Sequence, residues 1–99
     1  MAEKLTQDQI QTELESTPEW AQISGLIQRT FQFPDFLTAM AFVEALARYA
    51  ERVQHHPDIL IRYNKVTISI QTHDVGGISE KDFDLAREAD QFAAAHEPA

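Results

Sequence analysis

The sequence predicts an α+β fold, a two-layer sandwich with a four-stranded antiparallel sheet and helices packed on one face. Three observations predict it. Residues 36–54 carry apolar side chains at helical spacing. Residues 59–71 alternate apolar and polar with the period of a strand, in two runs joined at Asn64-Lys65. The whole chain then reads as helix, two strands, long helix, two strands, helix, so that paired strands alternate with single helices.

Taken in order, Thr6-Gln-Asp-Gln9 is a capping-box pattern, which opens a short helix with Ile10 and Leu14 on its inner face. Thr17-Pro18 ends it. Trp20 to Ser24, then Gly25, then Leu26 to Phe33 reads as two short strands around a turn. Pro34 stops the second strand and Asp35 is a suitable N-cap for the long helix. In that helix Phe36, Met40, Val43, Ala47 and Ala50 form one stripe, which Phe42, Leu46, Tyr49 and Val53 widen. So wide a stripe needs more cover than one sheet supplies and implies a partner subunit. Pro57 is expected to end the helix, because a residue preceding proline is pushed toward extended geometry.

Ile59, Ile61 and Tyr63 alternate with Leu60, Arg62 and Asn64, and Val66, Ile68 and Ile70 with Thr67, Ser69 and Gln71. This is a tight hairpin with one covered face. Asp74 to Gly77 is a loop. Ser79 to Asp82 caps a last helix, whose inner face is marked by Phe83, Ala86, Ala89 or Asp90, and Ala93. The tail from Ala95 to Ala99 is expected to fray.

The 99 residues make one domain, 1–99, with a modest core. There is no cysteine, which excludes disulfides, thiolate chemistry and cysteine-held zinc. Sixteen acidic residues against eight basic ones give a net charge of -8, which argues against direct binding to nucleic acid. No apolar run is long enough to span a membrane. The polar N-terminus with Glu3 and Asp8 is unlike a targeting peptide, so the expected location is the cytoplasm.

Chemistry concentrates between Glu51 and Asp82, where three of the four histidines lie. Histidine exchanges protons most readily near neutrality. His55 and His56 fall at the C-terminal end of the long helix, where carbonyl groups favour positive charge. Glu51 lies four residues before His55, and is expected to orient that ring on a shared helix face. A solvated helix end explains the same pair. Adjacent histidines diverge and neither a His-x-x-x-His pair nor a cysteine set accompanies them, so the pattern supports metal binding poorly and no metal is assigned. His73 falls on the polar side at the end of a strand, a common surface position. The hairpin returns it toward His55, and this company gives it interest. Asp82 either caps its own helix through Ser79 or serves a pocket, and the two are compatible. Gly76-Gly77 lacks the rest of a phosphate loop. Trp20 belongs to the core, an interface or the wall of a flat ligand.

Together these residues resemble the pterin-4a-carbinolamine dehydratase family. The pattern is an acid, His-His-Pro, an aromatic, a later His and then an Asp: Glu51, His55-His56-Pro57, Tyr63, His73 and Asp82. Tyr63-Asn-Lys-Val66, Thr72-His73 and Gly77-Ile-Ser-Glu-Lys-Asp82 are similar too, and the likeness runs from about Trp20 to Ala86. Ile59 departs from it, since family members often have Trp there. The resemblance implies dehydration of 4a-hydroxytetrahydropterin to quinonoid dihydropterin without metal or organic cofactor. It implies that His55 and His73 transfer protons and that His56 chiefly positions the substrate, with acid and base unassigned. Pro57, Thr72 and Asp74 would line the pterin site beside the histidines, with Glu51 and Asp82 supporting them. Family members form homodimers or homotetramers, and animal members also act as dimerisation cofactors of a homeodomain transcription factor. A protein-binding role is therefore the alternative to catalysis.

Overall fold

A computed structural model describes residues 2–96. Three helices, α1 (Gln7–Ser16), α2 (Phe36–Val53) and α3 (Glu80–His96), accompany strands β1 (Ala21–Ile23), β2 (Leu26–Gln32), β3 (Asp58–Arg62) and β4 (Lys65–Ile70). The strands form one antiparallel sheet in the order β1-β2-β4-β3. The predicted α+β sandwich is therefore the fold.

Local chemistry accounts for the boundaries. Thr6 and Gln9 exchange both bonds of a capping box. The Asp35 carboxylate accepts the Thr38 N–H at 2.8 Å at the start of α2, and hydrogen bonding from the Thr38 side chain and then its backbone holds the Asp35 pKa below the ordinary value. Asn64 ties the far end of the sheet together, since its side chain donates to the Phe33 carbonyl at 2.8 Å and its carbonyl accepts the Phe33 N–H.

The core lies between one sheet face and the helices. Ile27, Phe31, Val66, Ile68 and Ile70 point from the sheet toward Ala39, Phe42, Leu46 and Ala50 of α2 and Phe83, Leu85, Ala86, Ala89 and Ala93 of α3. The Phe42 ring lies 4.8 Å from that of Phe31 and 4.9 Å from that of Phe33. Trp20 belongs to this core, its indole donating to Asp90 at 2.9 Å. On the outer face, Thr30 and Thr67 share a hydrogen bond, as do Gln28 and Ser69.

The structure differs from the sequence reading in four places. The buried stripe of α2 is Ala39, Phe42, Leu46 and Ala50, whereas Phe36, Leu37, Met40 and Val53 remain exposed, Leu37 by 78%. The helix stops at Val53 because Gln54 turns left-handed, ahead of any effect of Pro57. The β3–β4 turn is Tyr63-Asn64, one residue earlier than expected, with Tyr63 at φ 56°. β4 ends at Ile70, and His73 opens a short 3-10 turn rather than closing the strand. At the chain's end, α3 continues through His96, and Glu97 to Ala99, part of the expected frayed tail, lie outside the described residues.

Candidate active site

The left-handed Gln54 divides the histidine pair. Its N–H donates back toward Ala50 and Glu51, and the His55 N–H donates to the Ala50 carbonyl at 3.0 Å. Such a cap reverses the chain within two residues. His55 turns inward, with a side chain only 11% exposed, and His56 turns outward at 56%.

Each ring meets a carboxylate. His55 Nε2 lies 2.6 Å from Asp82 Oδ1, and His56 Nε2 lies 2.8 Å from Glu51 Oε1. Glu51 therefore partners His56, not His55 as its spacing predicted. Helical spacing no longer applies once the chain leaves α2 at Gln54. The bond and charge of His56 hold the Glu51 carboxyl below its ordinary value.

Asp82 is fully buried in the first turn of α3. A buried carboxylate needs partners on both oxygens. Oδ2 accepts the Ser79 N–H at 2.8 Å and the Thr72 hydroxyl at 2.9 Å, while Oδ1 faces His55. One side chain thus caps its helix through the Ser79 N–H and contacts His55. Among the described residues no buried side-chain nitrogen or oxygen lacks a hydrogen bond.

Thr72 is the hinge between strand and site. Its backbone pairs with Gly77 across the loop, its N–H donating to the Gly77 carbonyl at 2.8 Å. Its buried hydroxyl contacts Asp82 and, at 2.6 Å, the Ser79 hydroxyl. His73 and Asp74 follow it directly and are exposed in the 3-10 turn closed by the left-handed Gly76. Pro57 is half-buried behind His56 in the chain.

The structure thus joins His55, Thr72 and Asp82 in one network and His56 with Glu51 in another. His73 and Asp74 are attached to the first network through the chain, and among the described residues no hydrogen bond links His73 to His55. Sequence reasoning treated Ser79 only as a cap and did not foresee its hydroxyl's bond to Thr72. The concavities along α2 and over the outer sheet face are lined by residues other than His55, His56 and His73. Ile59, the departure from the family pattern, packs half-buried against the core. Among the described residues no group of three or more potential ligands is arranged to hold a metal ion.

The α+β sandwich sets two imidazoles against two carboxylates near the open end of its β3–β4 hairpin. The chain belongs to the family described as pterin 4 alpha carbinolamine dehydratase, whose model matches residues 3–92. A relative from Picosynechococcus sp. is 50% identical over 93% of this chain and all of its own length. One from Thermosynechococcus vestitus is 47% identical over 88% of this chain and 92% of its own. Both bear the pterin-4-alpha-carbinolamine dehydratase name provisionally. Among solved structures, a transcriptional coactivator/pterin dehydratase from Brucella melitensis superposes with a TM-score of 0.88 at 34% identity, over 91% of this chain and 98% of that one. A pterin dehydratase-like protein identified as a RuBisCO assembly factor in the alpha-carboxysome gives 0.65 at 26% identity, over 76% and 89%.

Proposed function

We propose that this protein dehydrates 4a-hydroxytetrahydropterin to quinonoid dihydropterin and water, in tetrahydropterin recycling. The observation that carries the reading is the 2.6 Å contact between His55 and the buried Asp82, which also accepts from Thr72, the residue that precedes His73 in the chain. Dehydration requires one group to take the N5 proton and another to protonate the departing 4a-hydroxyl. The electron pair of the N5–H bond becomes the C4a=N5 double bond, and the C4a–O pair leaves with the oxygen as water. His55 and His73 are the two proton-transfer groups and His56, steadied by Glu51, positions the ring. Pro57 and the backbone of Thr72 and Asp74 line the pterin. One proton is taken and one given, so the net protonation of the protein is unchanged; the base returns its proton to solvent and the acid regains one before the next turnover, and no cofactor is needed.

The test is stopped-flow decay of 4a-hydroxytetrahydropterin generated by a hydroxylase. Micromolar protein should accelerate the decay, and joint His55→Ala and His73→Ala replacement should remove most of the acceleration. Decay unchanged by the wild-type protein sinks the reading.

One observation favours a second, protein-binding role. Phe36, Leu37 and Met40 leave an apolar face on α2, with Phe36 44% exposed. Large apolar residues clustered on a surface mark interaction sites. The names of the two structural relatives, a coactivator and an assembly factor, support the same reading. We assign this face first to a homodimer or homotetramer. Isolation of the protein bound to no other chain, beside normal dehydratase activity, would count against a heterologous partner.

A further inference from the structure

We infer that His55 acts as the base through Nδ1, because Thr72, Ser79 and two backbone amides fix the Asp82 carboxylate so that the proton of the neutral ring rests on Nε2. The catalytic half of this inference rests on the dehydratase reading. The hydrogen-bond half does not.

Two of the donors, the backbone amides, cannot reverse, and the Thr72 hydroxyl is directed by the carboxylate it faces. A backbone N–H only donates. The Lys81 N–H donates to the Ser79 hydroxyl oxygen at 3.2 Å, and the Ser79 N–H donates to Asp82 Oδ2 at 2.8 Å. The Thr72 hydroxyl lies 2.9 Å from that same oxygen and gives it its proton. Only one proton fits between the Thr72 and Ser79 hydroxyl oxygens, 2.6 Å apart, and Thr72 has already used its own. Ser79 therefore donates to Thr72. The chain runs one way, from the Lys81 amide through Ser79 and Thr72 into Asp82.

These two donors occupy Oδ2. Oδ1 then presents lone pairs to His55, and the short contact places the shared proton on Nε2. A neutral imidazole with its proton on Nε2 has its lone pair on Nδ1. Nδ1 is thus the atom able to receive the N5 proton, and Asp82 stabilises the imidazolium that forms. A carboxylate that fixes the tautomer of a general base in this way is a recurring catalytic device. The acid that protonates the leaving hydroxyl is then another group, and His73 is the remaining proton-transfer histidine. Thr72 and Ser79 touch no reacting atom and are positioning residues.

The same polarity makes a sharp prediction for Asp82→Asn. The two donors at Oδ2 demand an acceptor, so the amide oxygen takes that place and the amide NH2 faces His55. Nε2 must then accept, and the proton moves to Nδ1. The experiment is 15N NMR of the histidine-labelled full chain, with His55 identified by its loss in His55→Ala. In the wild type at pH values where His55 is neutral, Nε2 should show a pyrrole-type shift and Nδ1 an imine-type shift, and Asp82→Asn should exchange the two. Thr72→Val should lower kcat by roughly ten- to a hundredfold with KM nearly unchanged, and Thr72→Ser should restore it. A wild-type proton on Nδ1, an unexchanged pattern in a folded Asp82→Asn chain, or full kcat in Thr72→Val would each overturn the inference. If the wild type lacks dehydratase activity while the NMR pattern holds, the function is wrong and the hydrogen-bond assignment stands.

Discussion

Oδ1 of Asp82 lies 2.6 Å from Nε2 of His55, joining the chain just beyond α2 to the first turn of α3 across 27 positions of sequence. Because Asp82 also accepts from Thr72 and Ser79, one carboxylate holds together a strand end, a helix start and a histidine.

Replacing Asp82 by Ala should therefore cost both stability and activity. Two buried donors, the Thr72 hydroxyl and the Ser79 amide, lose their acceptor, at about 1–3 kcal/mol each. The urea midpoint should fall with an unchanged denaturant slope. The dehydration rate of the remaining folded protein should fall at least tenfold, by order of magnitude, as for other residues that orient a reacting group.

Glu51 behaves differently, because it is exposed and its partner is His56. Its folded pKa lies below the ordinary value of 4.5, owing first to the hydrogen bond from His56 and then to that ring's charge. A depressed carboxyl contributes stability above its unfolded value and loses it as pH falls through the folded one. Wild type should thus exceed Glu51→Gln in thermal midpoint above about pH 4.5, with the curves converging in stronger acid. The limb of the pH–rate profile that belongs to His55 should be the same in both proteins, since Asp82 is the partner of that ring.

Glu80 shows the opposite sign. Partial desolvation, then the Glu13 carboxyl and then Asp84 push its pKa above 4.5, and Arg87 only partly offsets them. Arg87 is itself shared, since it pairs with both Glu13 and Asp84 and so ties α1 to α3. A raised carboxyl contributes most below its unfolded value and loses that contribution as pH rises through the folded one. Glu80→Gln should accordingly stabilise the protein at neutral pH and match wild type in acid, as read from denaturation midpoints at several pH values.

Much of the fold is legible because its signals are local. The Thr6–Gln9 capping box, the Asp35 cap, the period-two runs of β3 and β4 and the inner face of α3 depend on residues within a turn or two of each other. The candidate site is legible by residue type but not by partnership. The left-handed Gln54 cancels the helical spacing that pointed Glu51 at His55, and nothing in the residue types around it requires that conformation. The Asp82–His55 bond spans two elements whose approach depends on the whole sandwich. The side of α2 that enters the core is likewise a tertiary choice, because its sequence offers apolar residues on more than one face.

The exposed Phe36, Leu37 and Met40 should be covered in solution by a second copy of the chain. Sedimentation should give a particle heavier than the 11.3 kDa chain, and Leu37→Glu should shift it toward the monomer while leaving the fold intact by circular dichroism. A wild-type monomer at high concentration contradicts this.

The central claim is that the histidines around Asp82 act on a pterin. A crystal structure with a pterin bound tests it most directly. The account predicts the N5–C4a edge within hydrogen-bond reach of His55 Nδ1, with His56 and His73 on the same edge and Asp82 still behind His55. A pterin seated away from these rings, or His73 turned from it, would contradict the account.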